Sequence, residues 1–451
     1  MAVFRPRRTK IVATLGPAVD RPGQLERLLD EGVDVLRVNL SHAPPAAHQE
    51  RVRRARAHRP GVAILVDLGG PKLRLGDLPA ELPIEGGQTI TMGAGGVPVG
   101  DPTLFHRVRP GDPIYIADGT IHLEAVQTAP DHVVARVIVG GVLRSRKGIN
   151  LPADQSSLPC LTDKDIADLR EIHLIAPDMV ALSYVRSELD VRAVRAHTPL
   201  PVVAKIEKQQ ALERIDAILA EADAVMVARG DLGVEMPIER VPAAQKRLIR
   251  AANQAGRPVI TATQMLVSMV ESPLPTRAEV TDVANAVLDG TDAVMLSEET
   301  AIGRDPAGVV RMMGRVLLET EPLLPPSHAW PASHADYGNA LACAAAKLAE
   351  DLDVVAVVAP SRTGTSAQRL SAFRPRRPIL AYSRVPETTR RLALSWGVTP
   401  IDLTVPAGQD PLKATLDAAR RDLGEGARVV LLDIAPPGVR GVASLVNAIT
   451  L

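Results

Sequence analysis

The stretch PVVAKIEKQQALERIDAILAEADAVMVARGDLG, residues 201–233, decides the fold. It contains two short apolar runs, Val202–Ile206 and Ala224–Ala228, on either side of an amphipathic segment over Gln210–Glu221. Apolar runs of strand length that flank a helical pattern are typical of a βαβ unit with two parallel strands. The stretch therefore predicts one unit of a parallel α/β fold.

Charged residues follow both predicted strands. Lys205 and Glu207 lie on one side of the first strand, because strand neighbours alternate between faces. The second strand leads into Arg229, Gly230 and Asp231. Two carboxylates and a lysine at the same end of adjacent strands can hold a divalent cation and place an ammonium beside it. That arrangement suits chemistry in which negative charge builds up on phosphate or enolate oxygens, whereas a surface ion pair explains this unit equally well when it is taken alone.

The composition of the whole chain favours a globular protein of several domains. The chain has 451 residues, a hydrophobic content of 46% and a formal net charge of zero, so bulk electrostatics favour neither nucleic acid nor a membrane surface as a partner. No apolar stretch reaches the length of a signal peptide or a membrane span, and we expect a soluble cytoplasmic protein. Cys160 and Cys343 are far apart, which predicts unbridged thiols and no zinc site.

Strand and helix patterns alternate along most of the chain. After a β-rich insertion is set aside, eight such units occupy about 250 residues, the size of a (β/α)₈ TIM barrel. The predicted strands are residues 10–15, 33–40, 62–68, 179–182, 202–206, 224–228, 258–262 and 293–296.

Polar residues follow these strands rather than precede them. In a TIM barrel the active site lies at the carboxyl ends of the strands, so we expect these side chains to converge on one mouth. Besides those already named, they are Arg37, Asn39 and Ser41 after the second strand, Asp67, Lys72 and Arg74 after the third, Ser183 and Arg186 after the fourth, Thr263 after the seventh and Glu299 after the eighth.

Two further regions interrupt or follow the barrel pattern. Residues 76–146 are rich in glycine, proline and short alternating runs, which predicts a small inserted β-barrel lid. A proline-rich linker near residues 322–334 precedes another α/β domain. The predicted division is residues 1–75 and 147–325 for the barrel, 76–146 for the lid and 335–451 for the C-terminal α/β domain.

The C-terminal domain carries a turn of small polar residues between a predicted strand, 354–358, and a helix. Free backbone N–H groups at such a turn suit a phosphate, although ordinary capping of the helix explains the same residues. The residues of this turn are Ser361, Arg362, Thr363, Gly364, Thr365 and Ser366.

The chain resembles the pyruvate kinase family over nearly its whole length. The matching stretches, in chain order, are RRTKIVATLGPA, LRVNLSH, DLGGPKLRLG, KGINLP, AKIEK, DAVMVARGDLGVE, TATQML, PTRAEVTDVANAVLDG and DAVMLSEETA. The resemblance implies a barrel, a β-barrel lid inserted after the third strand and a C-terminal effector domain, assembled as a homotetramer. It implies transfer of the phosphoryl group of phosphoenolpyruvate to ADP, which gives pyruvate and ATP in glycolysis.

The resemblance also implies roles for individual residues. Glu207 and Asp231 match the ligands of a divalent metal, Mg²⁺ or Mn²⁺. The implied catalytic and substrate-binding residues are Lys205, Arg37, Thr263, Lys72, Arg74, Ala228, Arg229, Gly230 and Asp231. The implied nucleotide-binding residues are Pro17, Asn39, His42 and Lys147, with Asp118 on the lid. The implied monovalent-cation region comprises Asn39, Ser41, Asp67, Leu68 and Lys72, and the turn at residues 361–366 matches a loop that binds a phosphorylated effector.

The chain departs from the family pattern at several positions. Potassium-dependent members read DTKGPEIR where this chain reads DLGGPKLR, so Lys72 replaces a glutamate and Leu68 replaces a threonine. The ammonium group of Lys72 would lie where K⁺ binds in those members, so we expect activity without K⁺. Gly69 is unusual for the family at its position. The chain also reads SEETA where the family reads SGETA, and this difference adds the Glu298 carboxylate. Two alternatives therefore stay open: a paralogue acting on another enol phosphate or 2-oxo acid, and a catalytically silent metabolite sensor.

Overall fold

The fold is known from a computed structural model, which describes residues 7–41, 43–151, 159–325, 336–406, 408–434 and 444–451. Eight parallel strands close into a barrel in the order β1, β16, β15, β14, β13, β12, β3, β2, which confirms the predicted TIM barrel. The strands are β1 (Lys10–Thr14), β2 (Val35–Asn39), β3 (Ala63–Asp67), β12 (Met179–Leu182), β13 (Val202–Ile206), β14 (Ala224–Ala228), β15 (Val259–Ala262) and β16 (Ala293–Leu296).

Helices surround this ring and bury their apolar faces against its outer surface. They are α1 (Gln24–Asp30), α2 (Pro45–His58), α4 (Asp163–Glu171), α5 (Glu188–Arg195), α6 (Gln209–Glu213), α7 (Ile215–Glu221), α8 (Arg229–Glu235), α9 (Val241–Gln254), α10 (Arg277–Leu288), α11 (Glu298–Ala301) and α12 (Pro306–Thr320). The prediction of one helix over residues 210–221 is wrong. The backbone of Arg214 leaves the helical region (φ −109°, ψ 17°), and its side chain forms an ion pair with Glu188 of α5.

The lid domain follows β3 and encloses a hydrophobic core of its own. Antiparallel strands form a six-stranded sheet, in the order β4, β11, β7, β8, β9, β6, and a two-stranded ribbon, β10 with β5. The boundaries 76 and 146 stay predictions, and the lid core also takes in Leu73 and Ile149, which lie outside them. The elements are β4 (Leu73–Arg74), β5 (Leu82–Ile84), β6 (Thr89–Gly93), α3 (Leu104–Arg107), β7 (Pro113–Ile116), β8 (Ile121–Thr128), β9 (His132–Val139), β10 (Gly141–Leu143) and β11 (Gly148–Asn150).

The C-terminal domain is a five-stranded sheet, in the order β19, β18, β17, β20, β21, with helices on its faces. Its elements are α13 (Tyr337–Asp351), β17 (Ala356–Pro360), α14 (Thr365–Ala372), β18 (Ile379–Ser383), α15 (Pro386–Arg391), β19 (Val398–Asp402), α16 (Pro411–Leu423), β20 (Arg428–Asp433) and β21 (Leu445–Thr450).

Sequence reasoning misjudged parts of this sheet. The strand predicted at residues 354–358 is two residues too early, because β17 takes its register from β18, with Val357 opposite Ile379. The two edge strands, β19 and β21, were not predicted. Edge strands have only one paired neighbour and tolerate proline, as at Pro400 in β19, so their sequence signal is weak.

A segment of the C-terminal domain closes the base of the barrel. Ala393 and Leu394 are buried in the same core as Val12, Val203 and Ile260, which point into the barrel from β1, β13 and β15. The barrel interior is therefore filled at its base by a neighbouring domain, and its opposite end is left to the loops that follow the strands.

Helices of membrane-spanning length and hydrophobicity do not occur in the part of the chain that the structure describes. Both cysteines are free thiols, and Cys160 is buried. Burial and, to a smaller extent, the nearby Asp190 carboxylate together raise the pKa of the Cys160 thiol to about 12.

Candidate active site

A cavity of about 710 Å³ opens at the carboxyl ends of the barrel strands. Most of the residues predicted to act in the site line it together, although they come from distant parts of the sequence. The predicted residues on its wall are Pro17, Arg37, Asn39, Lys72, Asp118, Lys205, Glu207, Ala228, Gly230, Asp231 and Thr263.

Strand alternation explains how the polar side chains reach this cavity. Val203 packs in the barrel interior, and Lys205 is the next residue of β13 on the same face. Arg37 follows the interior residue Val35 in the same way on β2. On these two strands the last inward position is thus polar, and it faces the mouth instead of the packed core.

The Lys205 ammonium is the centre of a buried polar cluster. Its Nζ donates to Ser183 Oγ at 2.7 Å and lies 2.9 Å from Glu207 Oε1 and 3.2 Å from Asp67 Oδ1. Burial alone would lower the pKa of Lys205, but the carboxylates of Asp67 and Glu207 outweigh it and raise the pKa above its usual value. A permanently charged ammonium at this point can stabilise negative charge on a neighbouring oxygen.

Arg37 binds the other oxygen of the Asp67 carboxylate. Its Nε lies 2.7 Å and its Nη2 2.6 Å from Asp67 Oδ2, and its Nη1 donates to Thr14 Oγ1 at 3.1 Å. Burial would raise the pKa of Asp67, but Lys205 and Arg37 outweigh it and hold the pKa below its usual value. The ionised Asp67 therefore fixes both cations beneath the mouth.

Glu207 and Asp231 form the pair of carboxylates that can share a cation. Burial raises the pKa of Glu207, and repulsion from the ionised Asp231 raises it further, so the two groups are close enough to interact. Burial would also raise the pKa of Asp231, but Lys72 and Lys205 outweigh it and lower the pKa. Among the described residues there is no group of three or more His, Cys, Asp or Glu side chains that could hold a metal ion. A cation here would need further ligands from substrate or water.

Lys72 contacts the second of these carboxylates. Its Nζ lies 3.1 Å from Asp231 Oδ1 and 3.9 Å from Asp118 Oδ1 on the lid. Sequence reasoning assigned Lys72 to the region of Asn39, Ser41 and Asp67, whereas these ion pairs join it to Asp231 and the lid. The ammonium thus links the barrel wall to the lid across the cavity.

Thr263 and Gly230 approach each other closely on the cavity wall. Thr263 adopts a left-handed backbone conformation (φ 75°), which is uncommon for a residue other than glycine. A Cβ at Gly230 would lie 2.7 Å from Thr263 Cγ2, so glycine is required for this approach. The close packing brings the threonine side chain beside the head of α8.

Several predicted residues lie outside the cavity wall. The Arg229 guanidinium donates to the carbonyls of Ala262 (3.1 Å) and Thr263 (2.7 Å) and forms an ion pair with Asp282 of α10. Arg74 donates to the carbonyl of Arg146 at the base of the lid. Of the remaining residues of this group, Lys147 is exposed, and the backbone N–H of Ser41 donates to the Asn39 side chain. Asp67 and Leu68 are buried. His42 lies outside the described residues.

The structure gives the contacts of Ser183, which the sequence placed at the mouth, and adds Tyr184, to which sequence reasoning gave no role. Ser183 accepts from Lys205 and donates to the Leu68 carbonyl at 2.7 Å, and the backbone N–H of Tyr184 donates to Glu207 Oε2 at 2.7 Å. Ser183 is the inward position after Ala181 on β12, so the alternation of β12 carried the signal for it. Tyr184 acts through its backbone (φ 58°), which no sequence pattern reveals.

The turn at residues 361–366 lies between β17 and α14, as predicted. Ser361 and Ser366 are buried, whereas Arg362, Thr363 and Thr365 are exposed. Gly364 takes a left-handed conformation (φ 92°) and its N–H donates to Ser361 Oγ at 3.0 Å. The turn is therefore ordered by its own hydrogen bonds and presents polar side chains outward.

Comparisons with known proteins identify the family. Family models described as the pyruvate kinase barrel domain and the pyruvate kinase alpha/beta domain match residues 6–310 and 339–447. The chain is 42% identical to pyruvate kinase 2 of Synechocystis, over 98% of this chain and 79% of that protein. It is 40% identical to the pyruvate kinase of Methylorubrum extorquens, over 98% and 97% of the two chains.

A solved structure supports the same relationship. The crystal structure of a pyruvate kinase from Cryptosporidium parvum superposes with a TM-score of 0.88 at 33% sequence identity, covering 99% of this chain and 96% of that chain. Similarity of both sequence and fold over nearly the full length supports a common reaction class. This chain belongs to the pyruvate kinase family of phosphotransferases.

Proposed function

We propose that this chain transfers the phosphoryl group of phosphoenolpyruvate to ADP, giving pyruvate and ATP, as a step of glycolysis. The observation that carries the proposal is the cluster at the barrel mouth, in which the Lys205 ammonium lies 2.9 Å from Glu207 beside Asp231. Phosphoryl transfer depends chiefly on positioning and on stabilising charge at oxygen, and this cluster supplies fixed charges for both.

Glu207 and Asp231 are the residues that would hold Mg²⁺ or Mn²⁺. Mg²⁺ is usually bound through one or two carboxylates together with substrate phosphates, and a pair of mutually repelling carboxylates without a third protein ligand fits that mode. A bound divalent ion would supply Lewis-acid polarisation of the substrate oxygens. The chain's own residues then provide the rest of the chemistry.

The cations of the cavity would bind and stabilise the reacting groups. Arg37, held by Asp67, would bind the phosphate, and Lys205 would stabilise the enolate oxygen as the phosphoryl group leaves. The hydroxyl of Thr263 would lie near the carbon that is protonated after transfer. Backbone groups of residues 228–231, at the head of α8, would contact the substrate carboxylate, since the Arg229 side chain is engaged with Asp282.

The nucleotide would bind between the barrel and the lid. Pro17 and Asn39 on the barrel and Asp118 on the lid border the same cavity, which supports this role. Lys72 and Arg74 lie where the lid joins the barrel, and Lys147 and His42 complete the predicted nucleotide region. Contact between Lys72 and Asp118 would keep the lid over the bound phosphates.

We further propose that the reaction does not require K⁺. The Lys72 ammonium lies in the cavity and provides a fixed positive charge, and Leu68 is fully buried and offers no hydroxyl ligand. Asp67, which lies among the predicted monovalent-cation residues with Asn39 and Ser41, is already neutralised by Arg37 and Lys205. A monovalent ion would therefore gain little at this position.

The turn at residues 361–366 is proposed to bind a phosphorylated effector, and the chain to act as a homotetramer. Exposed Arg362, Thr363 and Thr365 at the end of a parallel strand support the first proposal, because they offer a cation and hydroxyls to a phosphate. A titration of the protein with sugar phosphates and AMP that left substrate half-saturation unchanged would contradict it.

The decisive experiment is a lactate dehydrogenase-coupled assay with phosphoenolpyruvate, ADP and Mg²⁺, with and without K⁺. We expect pyruvate formation at equal rates in both conditions, because Lys72 replaces the monovalent charge. Strong activation by K⁺ would contradict K⁺ independence. Omission of the divalent metal should abolish the rate.

Variants and alternative substrates separate the remaining alternatives. Lys205→Met should lower kcat by about 100-fold or more, because it removes a charge aimed at the developing oxyanion. Unchanged function in this variant would favour a silent sensor. Turnover of other enol phosphates or 2-oxo acids in place of phosphoenolpyruvate would favour the paralogue.

A further inference from the structure

Glu298 stands on the wall of the candidate active-site cavity. It lies in the first turn of α11, directly after β16, and its side chain is exposed in the same cavity that holds Lys205 and Asp231. A carboxylate in a cavity that receives phosphorylated substrates is unfavourable for binding unless it meets a specific group. We therefore expect the Glu298 carboxylate to bind a specific group of a substrate.

Every other acidic or basic side chain on this wall already has a partner. Among the described residues, Glu298 alone of these has no hydrogen bond or ion pair through its side chain. The partnered groups are Arg37 with Asp67, Arg51 with Asp20, His48 with Arg51, Lys72 with Asp231 and Asp118, Lys205 with Glu207, and Glu299 with the backbone N–H groups of Leu266 and Ser297.

The order of the strands separates Glu298 from the cations. Arg37 lies on β2, Lys205 lies on β13 and Lys72 follows β3. Glu298 follows β16, and in the closed barrel one strand lies between β16 and β2 and two strands lie between β16 and either β3 or β13. Phosphate groups are drawn to the cations and repelled by the carboxylate. The part of the substrate that faces Glu298 is therefore a neutral group that donates hydrogen bonds.

Exposed apolar side chains line the same cavity as the carboxylate. Pro17 is exposed, and Ile302, one turn further along the chain than Glu298, is 56% exposed. Gly16, which precedes Pro17, lies very close to α11: a Cβ at this position would be only 2.4 Å from the Ala301 carbonyl oxygen. The turn at Pro17 is therefore packed directly against α11. A hydrogen-bond acceptor that shares a cavity with exposed apolar side chains fits a nucleoside, whose sugar combines an apolar ring face with a pair of hydroxyl donors.

We infer that Glu298 is a specificity-determining residue that accepts hydrogen bonds from the 2′- and 3′-hydroxyls of a ribonucleoside diphosphate, with Pro17 and Ile302 beside the nucleoside. An acidic residue that binds ribose hydroxyls is the solution used at dinucleotide sites of unrelated fold. This inference rests on the proposed function, because it names the part of the acceptor nucleotide that the site recognises. It predicts a preference for ribonucleotides over their deoxy analogues.

The test compares kcat/KM for ADP, 2′-deoxy-ADP and 2′,3′-dideoxy-ADP at saturating phosphoenolpyruvate in the full chain. The wild-type protein should prefer ADP to the dideoxy analogue by about tenfold or more, as expected for hydrogen bonds to a charged group. In Glu298→Ala this ratio should fall close to one, through a loss on ADP, with a smaller loss on 2′-deoxy-ADP, which keeps the 3′-hydroxyl, and none on the dideoxy analogue. The KM for phosphoenolpyruvate should not change. Glu298→Gln should retain part of the preference, because its carbonyl oxygen still accepts.

Glu239→Ala is the matched control, since Glu239 is an exposed glutamate outside the cavity, and it should behave as wild type. A wild-type ratio near one, a ratio that Glu298→Ala leaves unchanged, or equal losses on all three nucleotides would overturn the inference. Absence of pyruvate formation with any diphosphate would instead contradict the proposed function. Calorimetric titration of ADP and its dideoxy analogue into wild type and Glu298→Ala would then test the inference, through the ratio of the two dissociation constants in each protein.

Discussion

Single buried charges determine the geometry of the candidate site. Asp67 is fully buried and binds Arg37 and Lys205 at once, so one carboxylate compensates two cations. Removal of one member of such a group leaves the others buried without a counter-charge, which is far more costly than the loss of an exposed pair. The two cations on the cavity wall therefore depend on a residue that does not reach the cavity.

Asp67→Asn should lower the free energy of unfolding by about 3–5 kcal/mol at pH 7, because Arg37 and Lys205 lose their shared counter-charge. The pKa of Asp67 is lowered in the folded state. Its contribution is therefore present above the unfolded pKa of about 3.9 and is lost as the pH falls through the folded pKa. The difference in the free energy of unfolding between wild type and Asp67→Asn should accordingly decrease as the pH falls.

Urea denaturation at a series of pH values measures this gap. Asp77→Asn is the control, because Asp77 pairs with Arg146 at the surface, and it should change stability little. Equal stability of Asp67→Asn and wild type at neutral pH would refute the role assigned to Asp67.

At the scale of single elements, helix termini position the loops of the mouth. Thr276 caps α10: its Oγ1 accepts from the Glu279 N–H, and its own backbone N–H donates to Glu279 Oε2 at 2.7 Å. Glu279 also accepts from the N–H of Ser268 at 2.7 Å, and so ties α10 to the loop that follows β15. The capping box of α10 thus also supports the segment that carries Thr263.

Thr276→Ala should destabilise the protein by about 1 kcal/mol, the usual cost of a lost N-cap. Thr276→Ser keeps the hydroxyl and should be nearly neutral. Glu279→Ala should cost more than Thr276→Ala, because it removes the bonds to Ser268 as well as those to Thr276. Thermal unfolding of the three variants would rank them, and a smaller effect for Glu279→Ala would contradict this account.

At the scale of the whole molecule, the C-terminal domain is joined to the barrel by a buried ion pair. Arg374, which follows α14, lies 2.7 Å from Asp292 Oδ1 and 2.8 Å from the Gly290 carbonyl oxygen, at the start of β16. Asp292 also accepts from the N–H of Val259 on β15 and of Trp396. The barrel base and the neighbouring domain therefore share one polar network.

Arg374→Met should lower the free energy of unfolding by about 3–5 kcal/mol, because it leaves Asp292 buried without its cation. Since the network belongs to both domains, the loss should appear in the barrel transition in differential scanning calorimetry. Arg377→Met, which removes an exposed pair with Asp353, is the control. A loss confined to a separate C-terminal transition would contradict the coupling.

Local sequence patterns were sufficient for the barrel. The predicted bounds of β12, β13, β14 and β16 agree with the structure, because short apolar runs that end at polar residues leave little choice of register. The same period places Lys205 and Glu207 on one face, and the cavity holds both. Prediction failed where a strand is set by its neighbours, as in β17 and in the edge strands β19 and β21.

The sequence by itself determined the class of fold, the positions after the strands at which polar groups gather, and the family that these motifs resemble. Only the tertiary structure decided that Lys72 pairs with Asp231, that Arg229 turns away to Asp282, and that Leu394 fills the base of the barrel. Periodicity and capping act between residues a few positions apart, so they can be read along the chain. Pairing of charges and filling of space act between elements far apart in sequence, and they are fixed only when the barrel closes and the domains pack.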